Sequence, residues 1–224
     1  MYSLFLYTLQ FMDKSPHFRT IEDTTSSMST IEWIGGRLSS YREAIFILFY
    51  IFALLNMTHL LFAASPMKIE MDGVGFALIF LGTLLRLWSA SYHAATMNLI
   101  TIGPYRYVRH PIYVANFLIG LGLCLMVGSW IVLFSFLGLY IAIYTFIIMS
   151  EEKRFLRSNY TELYASYRKQ VFCFLPLRKF QGPLLGNIDL HKIKKRHEWL
   201  KSGSYFLIAL AIEIIEYISR HGRH

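Results

Sequence analysis

Residues 112–127 and 130–149 are two apolar runs separated only by Gly128-Ser129. So short a break between such long runs admits a tight helical hairpin and little else. As a helix, the second run alone reaches across the hydrocarbon core of a bilayer. Three more runs follow the same logic. Residues 44–64 are stopped by Pro66, residues 73 to about 90 are opened by Asp72 as a candidate N-cap, and residues 205–218 carry Glu213 and Glu216 and either span or lie in the interface. With 55% hydrophobic and 16% charged residues among 224, the chain is too apolar for an average soluble domain. The expected fold class is all-α: a polytopic integral membrane helical bundle of about five transmembrane helices, with a cytoplasmic amphipathic helix starting near Glu151. Three regions are expected: a polar or interfacial segment at 1–43, a membrane domain at 44–177, and a basic segment with a C-terminal apolar helix at 178–224.

The net charge of +8 sits beside the apolar runs and forms no soluble basic face with stacking aromatics, so nucleic acid is not an expected partner. The bases read as topology determinants and contacts to anionic membrane lipids. Lys14, Arg19, Arg37 and Arg42 precede or open the first run, Lys68 stands alone in the first hairpin loop, and twelve lysines and arginines fall within 151–202. The positive-inside rule then puts the N-terminus, the 91–111 connection and the 150–202 segment on the cytoplasmic side. Two polar segments far apart in sequence would share one face, able to close over a ligand from the cytosol. Cys124 and Cys173 have neither metal-ligand spacing nor a disulfide pattern, and no metal is expected. Residues 2–11 lack the basic flank and cleavage site of a signal peptide and read as an interfacial helix or leader.

The polar segment that opens the third run is Gly103-Pro104-Tyr105-Arg106-Tyr107-Val108-Arg109-His110-Pro111-Ile112-Tyr113. Ionisable side chains at the mouth of apolar helices mark a functional site by default. His110 precedes a proline and is biased to an extended backbone, while Pro111 suits the first turn of the following helix. That helix N-terminus favours a carboxylate or phosphate, and Arg109 adds to the preference. The plainer alternative makes Arg106 and Arg109 membrane anchors and His110 a local cap. Glu151 and Glu152 stand where the fourth run meets the expected amphipathic helix; they either complement the dipole of a helix start or offer carboxylates to an amine, ribose hydroxyls or a cation. Tyr160, Tyr164 and Tyr167 fall at helical spacing and read as an interfacial aromatic stripe.

Taken together, Gly103-Pro104-Tyr105, Arg109-His110-Pro111-Ile112-Tyr113, the helical hairpin, Glu151-Glu152, Tyr164 to Tyr167 and Leu175-Pro176 resemble the isoprenylcysteine carboxyl methyltransferase and phospholipid methyltransferase superfamily over about residues 73–177. The resemblance implies an integral membrane methyltransferase that takes S-adenosyl-L-methionine from the cytosol and methylates a lipid-like or small hydrophobic acceptor. It implies cofactor contacts from Met97, Asn98, Leu99 and Ile100, from Tyr105, from His110, Pro111, Ile112 and Tyr113, and from Glu151. Met97 stands where the family has a histidine. Ile147 stands where the prenylcysteine enzymes carry a substrate-binding arginine, which shifts weight toward another lipid, amine or thiol acceptor.

Methyl transfer from a sulfonium is an in-line displacement, so a protein mainly has to align and desolvate the reacting atoms. Arg109 and His110 are the candidate catalytic residues. Arg109 would contact a carboxylate or orient the acceptor, and His110 or Glu152 would assist any proton loss. Two rival readings remain open at this point: an NADPH-dependent membrane reductase of the sterol-reductase type, which carries a similar motif, and a non-enzymatic membrane protein in which the motif only caps helices.

Overall fold

The computed structural model describes residues 30–60, 66–92, 99–156, 161–181, 183 and 198–221. Its helices are α1 (Thr30–Leu60), α2 (Pro66–Tyr92), α3 (Pro111–Val127), α4 (Trp130–Leu156), α5 (Thr161–Gln170) and α6 (Glu198–His221), with a 3-10 turn at Gly103–Arg106 between α2 and α3. The described residues contain no β-strand, only an isolated parallel bridge between Val108 and Phe172. The all-helical expectation holds. Two stretches, Met71–Tyr92 and Trp130–Arg154, are long and apolar enough to cross a membrane, while Ala44–Ala53 and Pro111–Val127 are shorter apolar helices. At 1.5 Å per residue, 22 residues reach about 33 Å against a hydrocarbon core of about 30 Å. Ile47, Leu48, Phe134, Ile141 and Leu207 point outward and stay exposed, an apolar exterior suited to lipid.

Three expected boundaries move. α1 begins at Thr30, well before residue 44. α2 begins at Pro66 rather than Gly73, because a proline fits a first helical turn; Asp72 is therefore inside the helix and is not its N-cap. α4 runs unbroken to Leu156, so Glu151 and Glu152 lie in its closing turns and not at the start of an amphipathic helix, which begins only at Thr161. This reverses the electrostatic reading. Carboxylates near a helix C-terminus oppose its dipole and call for cationic partners.

The α3–α4 hairpin closes as its sequence demands. Gly128 adopts φ 69° and donates its N–H to the carbonyls of Cys124 and Leu125, a left-handed cap that a glycine enters without penalty. The Ser129 hydroxyl then accepts the Val132 N–H at 3.4 Å and caps α4. α2 and α3 pack antiparallel in the most extensive helix pairing, followed by α1 with α4. Phe49 and Ala53 from α1, Ile79 from α2, Ile119 and Leu123 from α3, Phe136 and Ile147 from α4, and Ala209 and Ile212 from α6 build the core. Gly35 abuts Ser150, and Arg86 near the end of α2 meets Asn116 near the start of α3. The end of α2, the start of α3, the start of α1 and the end of α4 thus gather at one end of the bundle.

Glycine is required where α2 and α3 touch. A Cβ on Gly122 would sit 2.6 Å from the Gly75 carbonyl oxygen, a backbone atom that cannot rotate away. Gly122→Ala is expected to destabilise the full chain in detergent by about 1–3 kcal/mol, the range for overpacking. Gly138, which has open space around it, is the control: Gly138→Ala should cost nothing in the same thermal unfolding measurement. Equal melting temperatures for the two variants would remove the close-packing argument.

Candidate functional site

Gly103 starts the 3-10 turn at φ 61°, and a Cβ there would meet the Tyr92 ring at 2.6 Å, so both backbone and space select glycine. The Pro104 carbonyl accepts N–H groups from Tyr107 and Val108. The chain after α5 is laced along this turn: Arg109 N–H donates to Phe172 O at 3.0 Å, Phe180 N–H to Arg106 O at 2.8 Å, and Gly103 N–H to Pro183 O at 3.3 Å.

Tyr164 and Tyr167 do not form an interfacial stripe. Each is 2% exposed, and they pack with Val171, Leu99 and Phe180 behind the motif. The Tyr167 hydroxyl donates to the Tyr105 carbonyl. A buried phenol needs such a partner, so tyrosine at this position serves the fold of the motif rather than a water boundary. Tyr160 lies outside the described residues.

Pro111 occupies the first turn of α3, as expected, and the His110 carbonyl accepts N–H groups from Tyr113 and Val114. His110 and Tyr113 stack with parallel rings, centroids 5.4 Å apart and 3° between planes. From α4, Glu151 receives the Tyr113 hydroxyl on Oε1 at 2.5 Å and faces His110 Nδ1 through Oε2 at 3.6 Å. Glu152 pairs with Arg109 at 2.5 Å and with Arg168 of α5 at 3.4 Å, and its Oε1 lies 3.6 Å from His110 Nε2. Arg42 of α1 lies over the Tyr113 ring, 5.9 Å from its centroid. These are the cations that carboxylates at the end of α4 call for. The side chains of Arg109, His110 and Glu152 are about nine-tenths buried, whereas that of Glu151 is 34% exposed and is the open carboxylate of the set.

The structure therefore brings Arg109, His110, Tyr113 and Glu151 together. Pro111 and Tyr105 are buried beside them in the chain, with the Tyr105 carbonyl taken by Tyr167. Ile112 is half-buried against the main core, Leu99 is half-buried against the tyrosine pair, and Ile100 is half-buried. Met97 and Asn98 lie outside the described residues. Sequence reasoning credited Arg42 and Arg168 only with setting topology. It also passed over Arg86 and Asn116, although polar residues inside apolar runs are themselves a signal. Cys173, which showed no spacing pattern, comes to His110 and Glu152 so that one ligand atom from each lies within 4.8 Å of the others. Burial pushes its thiol up to about 11, Glu152 adding to the rise and Arg109 opposing it. Burial, reinforced by the Glu152 charge, likewise pushes the Tyr164 phenol up.

The cluster pairs an open carboxylate with a phenol and an imidazole beside a helix N-terminus and an arginine. It can receive a molecule bearing both charges together with hydroxyls. Over 114 residues the chain is 37% identical to the cobalt-zinc-cadmium resistance protein CzcN of Cupriavidus metallidurans, covering 50% of each chain. Over 105 residues it is 34% identical to the nickel-cobalt-cadmium resistance protein NccN of Alcaligenes xylosoxydans xylosoxydans, covering 46% of this chain and 48% of the relative. The chain thus spans about half the length of the curated relatives it matches. No solved structure matches it. The stretch that carries most of α2, the motif turn, α3, and α4 with both glutamates, residues 72–162, matches the model of the phospholipid methyltransferase family, in line with the membrane methyltransferase superfamily that the motif resembles.

Proposed function

We propose that this chain is an S-adenosyl-L-methionine-dependent integral membrane methyltransferase acting on a lipid-like or small hydrophobic acceptor. The observation that carries the reading is the joining of His110 and Tyr113 at the start of α3 to Glu151 at the end of α4, within the family-matched stretch. The residues suit such a donor. Glu151, the most open carboxylate of the cluster, takes its amino group or ribose hydroxyls, and Arg109 with the N-terminus of α3 takes its carboxylate. Tyr105 packs against its adenine or sulfonium, where cation–π attraction is worth about 1 kcal/mol. His110, Pro111, Ile112 and Tyr113 form the wall, and the family resemblance adds cofactor contacts from Met97, Asn98, Leu99 and Ile100. The donor supplies an electrophilic methyl group and a good leaving group. This chain's residues align the acceptor and exclude water, and His110 or Glu152 accepts a proton when the acceptor must lose one.

The basic segments at this end of the bundle support a cytosol-facing cleft, reached by the acceptor from the bilayer through a multi-pass bundle of about five spans. The names of the two relatives concern resistance to cobalt, zinc, cadmium and nickel. We extend that to this chain as a role of the methylated product in metal tolerance. Incubating membranes with isotopically labelled donor, with and without the protein, should give a protein-dependent labelled lipid or small thiol by mass spectrometry. The purified chain should bind S-adenosylhomocysteine and not NADPH; the reverse preference would establish the reductase reading, and binding of neither would leave a non-enzymatic protein. A deletion strain growing normally in inhibitory cadmium would remove the tolerance role alone.

A further inference from the structure

His110, Glu152 and Cys173 come from three separate segments, the residue before α3, the end of α4 and the chain after α5, and they present one nitrogen, one oxygen and one sulfur within 4.8 Å of each other. The backbone fixes this approach. The Val108–Phe172 bridge and the Arg109 N–H to Phe172 O bond set the residues before His110 beside the residue before Cys173. His110 Nε2 is buried and has no hydrogen-bond partner, although its side chain is nine-tenths buried. It faces Glu152 Oε1, which is ion-paired with Arg109, at 3.6 Å, beyond hydrogen-bond reach. A buried imidazole nitrogen aimed between a carboxylate and a thiol calls for a partner. On the other side of the ring, Nδ1 lies 3.6 Å from Glu151 Oε2, so a small approach of the two would make the hydrogen bond that orients a metal-binding imidazole and leaves its second nitrogen to ligate.

We propose that His110, Glu152 and Cys173 form a binding site for a soft or borderline divalent cation of the zinc and cadmium class. Thiolate and imidazole select such ions over magnesium or calcium, which want oxygen ligands. Arg109 and Arg168 beside Glu152 oppose any cation there by charge, so binding rests on the covalent character of thiolate and imidazole bonds, which zinc and cadmium form and magnesium and calcium do not. Ligand atoms around tetrahedral zinc stand about 3.5 Å apart, so the three side chains close by about 1 Å, with a fourth position left for water. Cys173 binds as the thiolate, and its proton passes to the buffer for each ion bound. The site uses the histidine assigned above to the methyl donor but does not rest on that assignment.

The test uses the full chain in detergent, stripped with chelator and titrated with Co²⁺ as a spectroscopic probe. About one Co²⁺ per chain should bind, with tetrahedral bands and a thiolate-to-metal charge-transfer band. Cys173→Ser should abolish that band and weaken binding by more than the roughly 10- to 100-fold that losing a mere outer partner of a ligand costs. Cys124→Ala, at a buried cysteine of α3, should leave the band intact. Independently of any variant, Cd²⁺ should protect Cys173 of the unmodified chain from maleimide, read by mass spectrometry of its peptide. Absence of the charge-transfer band in the unmodified chain, its survival in Cys173→Ser, or alkylation of Cys173 at the same rate with and without Cd²⁺ would overturn the proposal. S-adenosylhomocysteine binding to the metal-free chain is measured separately, so failure of either reading is seen without the other.

Discussion

Glu151→Ala is expected to weaken S-adenosylhomocysteine binding by the purified full chain by about 10- to 100-fold. A hydrogen bond to a charged group contributes about 1.5–3 kcal/mol, and each 1.4 kcal/mol is a factor of ten. Glu151 is the carboxylate to test because its neighbour is already committed: Glu152 faces two arginines, while Glu151 accepts the Tyr113 hydroxyl, faces His110 and feels the Arg42 charge. Exchange of those contacts for the amino or hydroxyl groups of a ligand is therefore feasible without stranding a buried charge. Glu151→Gln keeps the shape and one acceptor but not the charge, and should fall between alanine and the unmodified chain. Glu151→Gln keeps an acceptor for the buried Tyr113 hydroxyl and should leave the melting temperature unchanged, whereas Glu151→Ala removes it and should lower stability by about 1 kcal/mol, less than the loss in binding. Unchanged affinity for Glu151→Ala would take this residue out of the site. A loss of affinity that merely tracks a loss of melting temperature would assign it a structural role.

The parts of the fold that the sequence made legible are those governed by local rules. The two-residue break at Gly128-Ser129 had one economical solution, and the structure adopts it with a left-handed glycine and a serine cap. Pro111 was readable for the same reason, since proline suits few positions of a helix. Helix ends without such markers were not readable: α1 starts and α4 ends among polar residues, beyond the apolar runs, and the last turns of α4 are held by the ion pairs of Glu152. Tyr164 and Tyr167 were misread because helical spacing says which residues share a face but not whether that face meets water or the 99–109 connection. Arg42, Arg168 and Cys173 join the site through tertiary contacts alone. The family match, ending at residue 162, stops short of the tyrosine pair and Cys173, the segment that buttresses the motif from behind.

Arg86→Ala should be the most destabilising single change in the bundle, by about 3–5 kcal/mol, the consequence of leaving a buried partner uncompensated. Arg86 Nε pairs with Glu198 at 2.9 Å, and both side chains are less than a tenth exposed. Its Nη1 donates to Asn116 Oδ1, whose amide nitrogen donates in turn to the Tyr144 hydroxyl at 3.1 Å. Lys201, at 3.9 Å from Glu198, is too distant and too exposed to replace the arginine. The network ties α2, α3, α4 and α6 together below the site, and Tyr144 carries it upward, its ring 4.8 Å from that of Tyr113. Replacing Arg86 and Glu198 together by methionine removes both charges, so most of the lost stability should return, as apolar substitutes do for buried ion pairs. A double-mutant cycle on thermal unfolding in detergent measures the coupling. The same pair of variants separates support from ligand contact. If the network acts only by holding the helices, the stable double variant binds S-adenosylhomocysteine like the unmodified chain. If it is stable and has lost binding, the Arg86–Glu198 pair acts on the donor site beyond holding the helices.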